Sequence, residues 1–88
     1  MIRLIRLTLY SRPGCHLCDE MKAIVHRVSA SVPLALEEID ISGSTELEQS
    51  YGVEIPVLLV EGKKVAKYRI GEAELLRALG SRSGGRGG

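Results

Sequence analysis

The 88-residue chain has no phenylalanine, no tryptophan and only three tyrosines. With 44% of its residues hydrophobic, its core must be built from aliphatic side chains. A strong charge imbalance is missing too, with 12 basic residues against 11 acidic ones. Residues 80–88, GSRSGGRGG, hold two arginines and no acid, which leaves 10 basic and 11 acidic residues in the body. Such a body has no electrostatic grip on a phosphate backbone, so nucleic acid is not an expected partner. The GGRGG segment lacks interleaved aromatics and reads as a flexible tail. No apolar run nears the ~20 residues that span a bilayer. The opening MIRLIRLTLY is short for a secretory signal and lacks its small-residue cleavage site. A cytoplasmic protein without membrane contact is expected. Cysteine is scarce as well: Cys15 and Cys18 are the only two. Lasting disulfides are rare in a reducing compartment. A bridge between these two closes so short a loop that it would restrict the unfolded chain little. A zinc site needs about four ligands, and only His16 and His26 are available to join the cysteines. Neither a metal nor a cofactor is expected.

What is present divides into short, well-punctuated segments. Residues 4–10, LIRLTLY, read as a buried strand, and Ser11 to Gly14 break it. A helix is predicted from Cys15, with Leu17, Met21, Ile24, Val25, Val28 and Val32 forming one apolar stripe and Pro33 ending it. His26 falls close to that stripe and is expected to be partly buried. Residues 34–41, LALEEIDI, read as a second strand, followed by a turn at Ser42 to Ser44. Ser44 suits the N-cap of a short helix, 45–52. Residues 55–60 and 64–69 form a predicted hairpin around a tight turn at EGKK. A last helix over 71–79 turns Leu75, Leu76 and Leu79 inward. The expected fold is α/β with order β-α-β-α-β-β-α, a four-stranded mixed sheet and helices on both faces. It forms one domain over 1–79, with a disordered tail over 80–88.

The two cysteines fall where the first strand hands over to the first helix. A thiolate at a helix N-terminus meets unpaired backbone N–H groups and the positive end of the helix dipole. Its pKa falls, and the thiolate is the nucleophile. Cys15, at the terminus, is expected to attack; Cys18, one turn further in, is expected to resolve. Arg12 and protonated His16 add positive charge nearby. The bland reading of both cysteines is that of two small buried hydrophobes, and that of Arg12 is a solvated loop charge.

This order, with Cys-x-x-Cys after the first strand, resembles the thioredoxin fold. LYSRPGCHLC, EEIDI and VEIPVL together resemble the glutaredoxins, over residues 4–79. The resemblance places Arg12 where a lysine is usual. It implies a cis-proline at Pro56 beside the active site, and an Ile55 backbone that holds the peptide-like part of glutathione. Gly71 matches one of the paired glycines before the last helix, whose N-terminus would hold a glutathione carboxylate. Ile70 replaces the other glycine, and His16 and Leu17 replace the usual Pro-Tyr between the cysteines. Glu72 and Glu74 place negative charge at that helix start, so weaker glutathione binding is expected. The implied activity is thiol–disulfide oxidoreduction in cell redox homeostasis, by a monomer acting on disulfide-containing protein clients. Glutathione or a thioredoxin-reductase-like flavoprotein would return the electrons. The alternative is a redox-inactive binding module, or an iron–sulfur carrier using Cys15.

Overall fold

The computed structural model describes residues 4–83. In chain order it comprises β1 (Ile5–Ser11), α1 (His16–Ser29), β2 (Leu34–Asp40), a 3₁₀ turn (Ile41–Gly43), α2 (Thr45–Tyr51), β3 (Val57–Val60), β4 (Lys63–Lys67) and α3 (Glu72–Ser83). The strands form one sheet in the order β2-β1-β3-β4. β1 and β2 run parallel, as the intervening helix requires, while β3 is antiparallel to both β1 and β4. A register shift between Leu58 and Leu59 kinks the β3–β4 ladder.

Alternation along β1 sorts its side chains onto two faces. Leu7 and Leu9 point into a core shared with Met21, Val25 and Val28 of α1, Leu58 and Val60 of β3, and Leu75 and Leu79 of α3. Tyr10, on the other face, stacks on Tyr51 of α2 with ring centroids 4.4 Å apart. So α1 and α3 share one face of the sheet and α2 lies on the other. Burial beneath the Tyr51 ring raises the Tyr10 pKa, with the Tyr51 phenol and Glu37 adding to the effect. The core contains no aromatic ring, so fit depends on branched aliphatic shapes.

Local chemistry accounts for the boundaries. α1 begins at His16, with Cys15 as its cap, and ends at Ser29, before Pro33. Bonds from Ser31 and Val32 N–H to the Val28 carbonyl close the last turn instead. β2 stops at Asp40, because its carboxylate caps the 3₁₀ turn through Ser42. Ser44 caps α2 as expected, its hydroxyl accepting from Leu47 N–H at 3.2 Å. The β3–β4 turn is tighter than EGKK: Glu61 and Gly62 both take positive φ, 50° and 85°, and Lys63 already pairs with Val60. That two-residue geometry matches the twist of the strands and needs a residue such as Gly62. Two inward assignments fail. His26 is exposed, one residue past buried Val25 and a third of a turn off the stripe. Leu76 is 45% exposed beside buried Leu75 for the same reason. α3 also runs through Gly80 to Ser83, into the segment expected to be tail; residues 84–88 of that tail lie outside the described residues. Among the described residues, no helix is long and apolar enough to cross a membrane.

Candidate active site

Strand register gathers all of the predicted residues but Gly71 at one end of the sheet. Ser11, the last residue of β1, leads through Arg12, Pro13 and Gly14 to the cysteines. Tyr10 pairs with Val57, so Pro56 and Ile55 arrive at the same edge. Val57 also pairs with Lys67, so β4 ends on that side, but the connection after it runs along α1. Gly71 adjoins Glu72, which pairs with Arg27 in the last turn of α1, so Gly71 is not brought to the cysteines. Gly14 has φ +78°, a conformation glycine adopts without a Cβ penalty, and it turns the chain from strand into helix.

Cys15 is the N-cap of α1. Its backbone is extended, at φ −93° and ψ 111°, and its sulfur accepts a hydrogen bond from Cys18 N–H at 3.0 Å. A sulfur here occupies the place where a serine or aspartate oxygen usually satisfies the first open N–H groups. The same bond favours a thiolate over a thiol. Cys15 is half-buried, while Cys18 is only 2% exposed. The two are joined in a disulfide, with Cα atoms 5.2 Å apart, so this is the oxidised form. His16 is the first helical residue and is exposed.

Arg12 stands three residues before Cys15, but its guanidinium is paired with Glu48 of α2. Its Nε is buried and makes no hydrogen bond. Cys18 also lines a polar pocket of about 340 Å³, together with Ser11, Arg12, Lys22, Glu38 and Asp40 among others. Glu38 crosses it, accepting from the buried Ser11 hydroxyl at 2.9 Å and from Lys22 Nζ at 3.2 Å.

The Ile55–Pro56 peptide bond is cis. Contacts from β4 and from Tyr68 just after it hold this loop. Tyr68 N–H donates to the Pro56 carbonyl at 2.8 Å, and Tyr68 Oη donates to the Val53 carbonyl at 3.1 Å. Lys64 Nζ donates to the Glu54 carboxylate at 2.9 Å, with Lys67 3.9 Å away. The Lys64 contact holds the Glu54 pKa below the ordinary carboxylate value, and Glu54 in turn raises that of Lys64. Sequence reasoning missed this clasp, and nothing local signals it, since the partners lie 10 and 15 residues apart. Gly71 caps α3: its carbonyl accepts from Leu75 N–H at 3.0 Å, and its own N–H donates to Glu74 Oε1 at 2.9 Å. That half of a capping box was readable as Glu three residues after the cap.

The Cys-x-x-Cys cap on the first helix and the cis-proline just before β3 are two features that the glutaredoxin resemblance implies. The Glutaredoxin-like domain family matches residues 6–80. The chain belongs to the glutaredoxin-like family. It is 31% identical over 77 residues to the Glutaredoxin-like protein YDR286C homolog of Dictyostelium discoideum, covering 81% of this chain and 71% of that protein. Among solved structures it is similar to protein XcR50 from X. campestris. That match has 30% identity and a TM-score of 0.75, and covers 85% of this chain and 96% of the other. It is also similar to protein Ne2328 from Nitrosomonas europaea, at 30% identity and TM-score 0.77 over 89% and 94% of the two chains. Chloroplastic thioredoxin z shares the fold at 12% identity, with a TM-score of 0.73 over 93% of this glutaredoxin-like chain and 80% of that one. Among the described residues, no group of three or more His, Cys, Asp or Glu side chains converges as metal ligands would.

Proposed function

We propose that the protein is a thiol–disulfide oxidoreductase in which Cys15 attacks and Cys18 resolves. One observation carries the reading: the Cys15 sulfur accepts the Cys18 N–H at a helix start, with the second sulfur buried directly behind it. In the reduced protein the Cys15 thiolate attacks one sulfur of a client disulfide. The client S–S bond breaks, a Cys15–client mixed disulfide forms, and the other client sulfur leaves as a thiolate. Cys18 then loses its proton and attacks Cys15 Sγ. The mixed disulfide breaks and the second client thiolate departs. Two electrons pass from the cysteine pair to the client, and the pair is left as the Cys15–Cys18 disulfide. An external thiol such as glutathione, or a thioredoxin-reductase-like flavoprotein, returns the two electrons. This cycle belongs to a reducing compartment such as the cytoplasm, in redox homeostasis.

The bound peptide-like segment would lie against Ile55, whose N–H and carbonyl carry no hydrogen bond among the described residues. The clasp from Tyr68, Lys64 and Lys67 holds that backbone in place. The test is a redox titration against glutathione buffers, with the pair followed by mass. A reversible two-electron transition of the Cys15–Cys18 pair is expected. A pair that cannot be cycled between dithiol and disulfide rules the reading out.

A further inference from the structure

Along β1 the core-facing row is Leu7, Leu9 and Ser11, and its register partners on β2 are Leu36, Glu38 and Asp40. Both rows start apolar and turn polar where they meet the first turns of α1. There Ser11, only 4% exposed, donates to Glu38 Oε2 at 2.9 Å. Lys22, one turn past Cys18 on α1, donates to Glu38 Oε1 at 3.2 Å. Both oxygens of Glu38 are therefore held in place, and its carboxylate lines the same pocket as the buried Cys18.

We propose that Glu38 accepts the proton that Cys18 releases in the resolving step. The proposal rests on the oxidoreductase reading above. Cys18 must lose a proton before its sulfur can attack. Burial disfavours its thiolate, and so do Asp19, Glu38 and Asp40, which line the pocket with it. Of the cations there, Arg12 is paired with Glu48, and Lys22 is shared between Glu38 at 3.2 Å and Asp19 at 3.9 Å. A thiol so placed reacts fastest when a base takes its proton as it attacks. Asp40 is turned to Ser42, accepting from its hydroxyl and its N–H. Glu38 is the carboxylate held toward Ser11. The proton passes from Cys18 Sγ to the Glu38 carboxylate, carried by solvent in the polar pocket. The Cys18 thiolate attacks Cys15 Sγ, the bond from Cys15 to the client breaks, and the client sulfur leaves as a thiolate. Glu38, whose side chain is 40% exposed, then returns the proton to bulk water.

The experiment is stopped-flow oxidation of the reduced full-length protein by dithiodipyridine, a neutral disulfide whose released thione absorbs. One thione leaves when Cys15 attacks, at a rate that scales with reagent concentration. The other leaves when Cys18 resolves, at a rate that does not. Glu38→Gln keeps an oxygen for Ser11 and alters only a part-exposed ion pair, so the fold should hold, with a thermal melt as the check. Its first phase should match the parent's, and its second should be slower by at least about tenfold near neutral pH. The parent's second phase should change little between about pH 6 and pH 8, whereas that of Glu38→Gln should rise by about tenfold per pH unit as solvent base takes over. Charge alone predicts the opposite sign. Removing a carboxylate and freeing Lys22 would favour the Cys18 thiolate and quicken the second phase. Asp40→Asn removes the same charge from the same pocket, and its second phase should be no slower than the parent's. A second phase in Glu38→Gln as fast as the parent's, or an equal slowing in Asp40→Asn, overturns the proposal and leaves the oxidoreductase reading standing. A parent without a second phase overturns that reading, and this proposal with it.

Discussion

Two helices of this protein, packed on the same face of the sheet, begin with caps that differ in kind. At α1 the cap is Cys15, whose sulfur takes the Cys18 N–H and stays accessible. At α3 the cap is Gly71, which has no side chain, and Glu74 reaches back to take its N–H. Both ends have the same backbone field and the same open N–H groups. One spends them on an atom that can exchange a bond; the other closes them with a carboxylate that cannot. A helix N-terminus therefore implies chemistry only through the residue that caps it.

The largest expected effect comes from removing the reactive cap. Cys15→Ser keeps an N-cap acceptor, so α1 should survive, yet disulfide exchange should fall to background. Cys18→Ser leaves the attacking sulfur and removes the only thiol that releases it. That variant should accumulate a covalent mixed disulfide with protein clients, detected by intact mass. Trapping by Cys15→Ser and none by Cys18→Ser would reverse the two roles.

Much of this contrast was legible in the sequence. The strand, the Pro-Gly break, the cysteine spacing and the stripe of Met21, Val25 and Val28 all carry local signals of period two or 3.6. The Ser44 cap and the hairpin were readable on the same grounds. Contacts between distant elements were not. Glu48 on α2 neutralises Arg12, Tyr68 reaches Val53, and Tyr51 covers Tyr10, each across a separation set only by the fold. His26 and Leu76 show the other limit. A residue next to a buried position looks apolar-faced in a window, but one step around a helix is 100°, enough to turn it outward. The turn after Asp40 was read at Ser42 to Ser44, but its start at Ile41 was not, because Ile41 continues the apolar pattern of the strand.

The second effect, in the reduced protein, is on the Cys15 thiol. Its bond from Cys18 N–H and the helix field should hold the thiol below the ordinary range of a free cysteine. Cys18, buried, should stay above neutrality. Alkylation rate against pH, with peptide mapping, reads both. Preferential labelling of Cys18 near neutral pH would dissolve the distinction between the two sulfurs.

Smaller effects sharpen the comparison with caps that only stabilise. Ser44→Ala removes the acceptor for Leu47 N–H and should cost about 1 kcal/mol in denaturant unfolding. Glu74→Ala leaves Gly71 N–H to water at an exposed site, and should cost only about half that. Neither should change the alkylation profile of Cys15. A shift of that profile in either variant would mean that the caps are coupled, and that α3 tunes the reactive end.

The smallest effect is at the 3₁₀ turn, where Asp40 is the cap. Its carboxylate accepts from the Ser42 hydroxyl at 2.7 Å and from Ser42 N–H at 2.9 Å. The hydroxyl bond chiefly, then the N–H bond, holds its pKa below the usual 3.8, with Arg12 contributing less. A carboxyl whose folded pKa is depressed stabilises the fold above its unfolded value, and loses that contribution as pH falls through the folded one. Ser42→Ala removes the leading cause. The variant should therefore melt slightly lower than the parent at about pH 6, and the gap should narrow below about pH 4 as both carboxyls protonate. Asp40 is fully solvent-screened, so the gap should be the least of those named here. Melting curves of the two proteins across that range decide it. A gap that is constant with pH would leave the Asp40 cap without an electrostatic share.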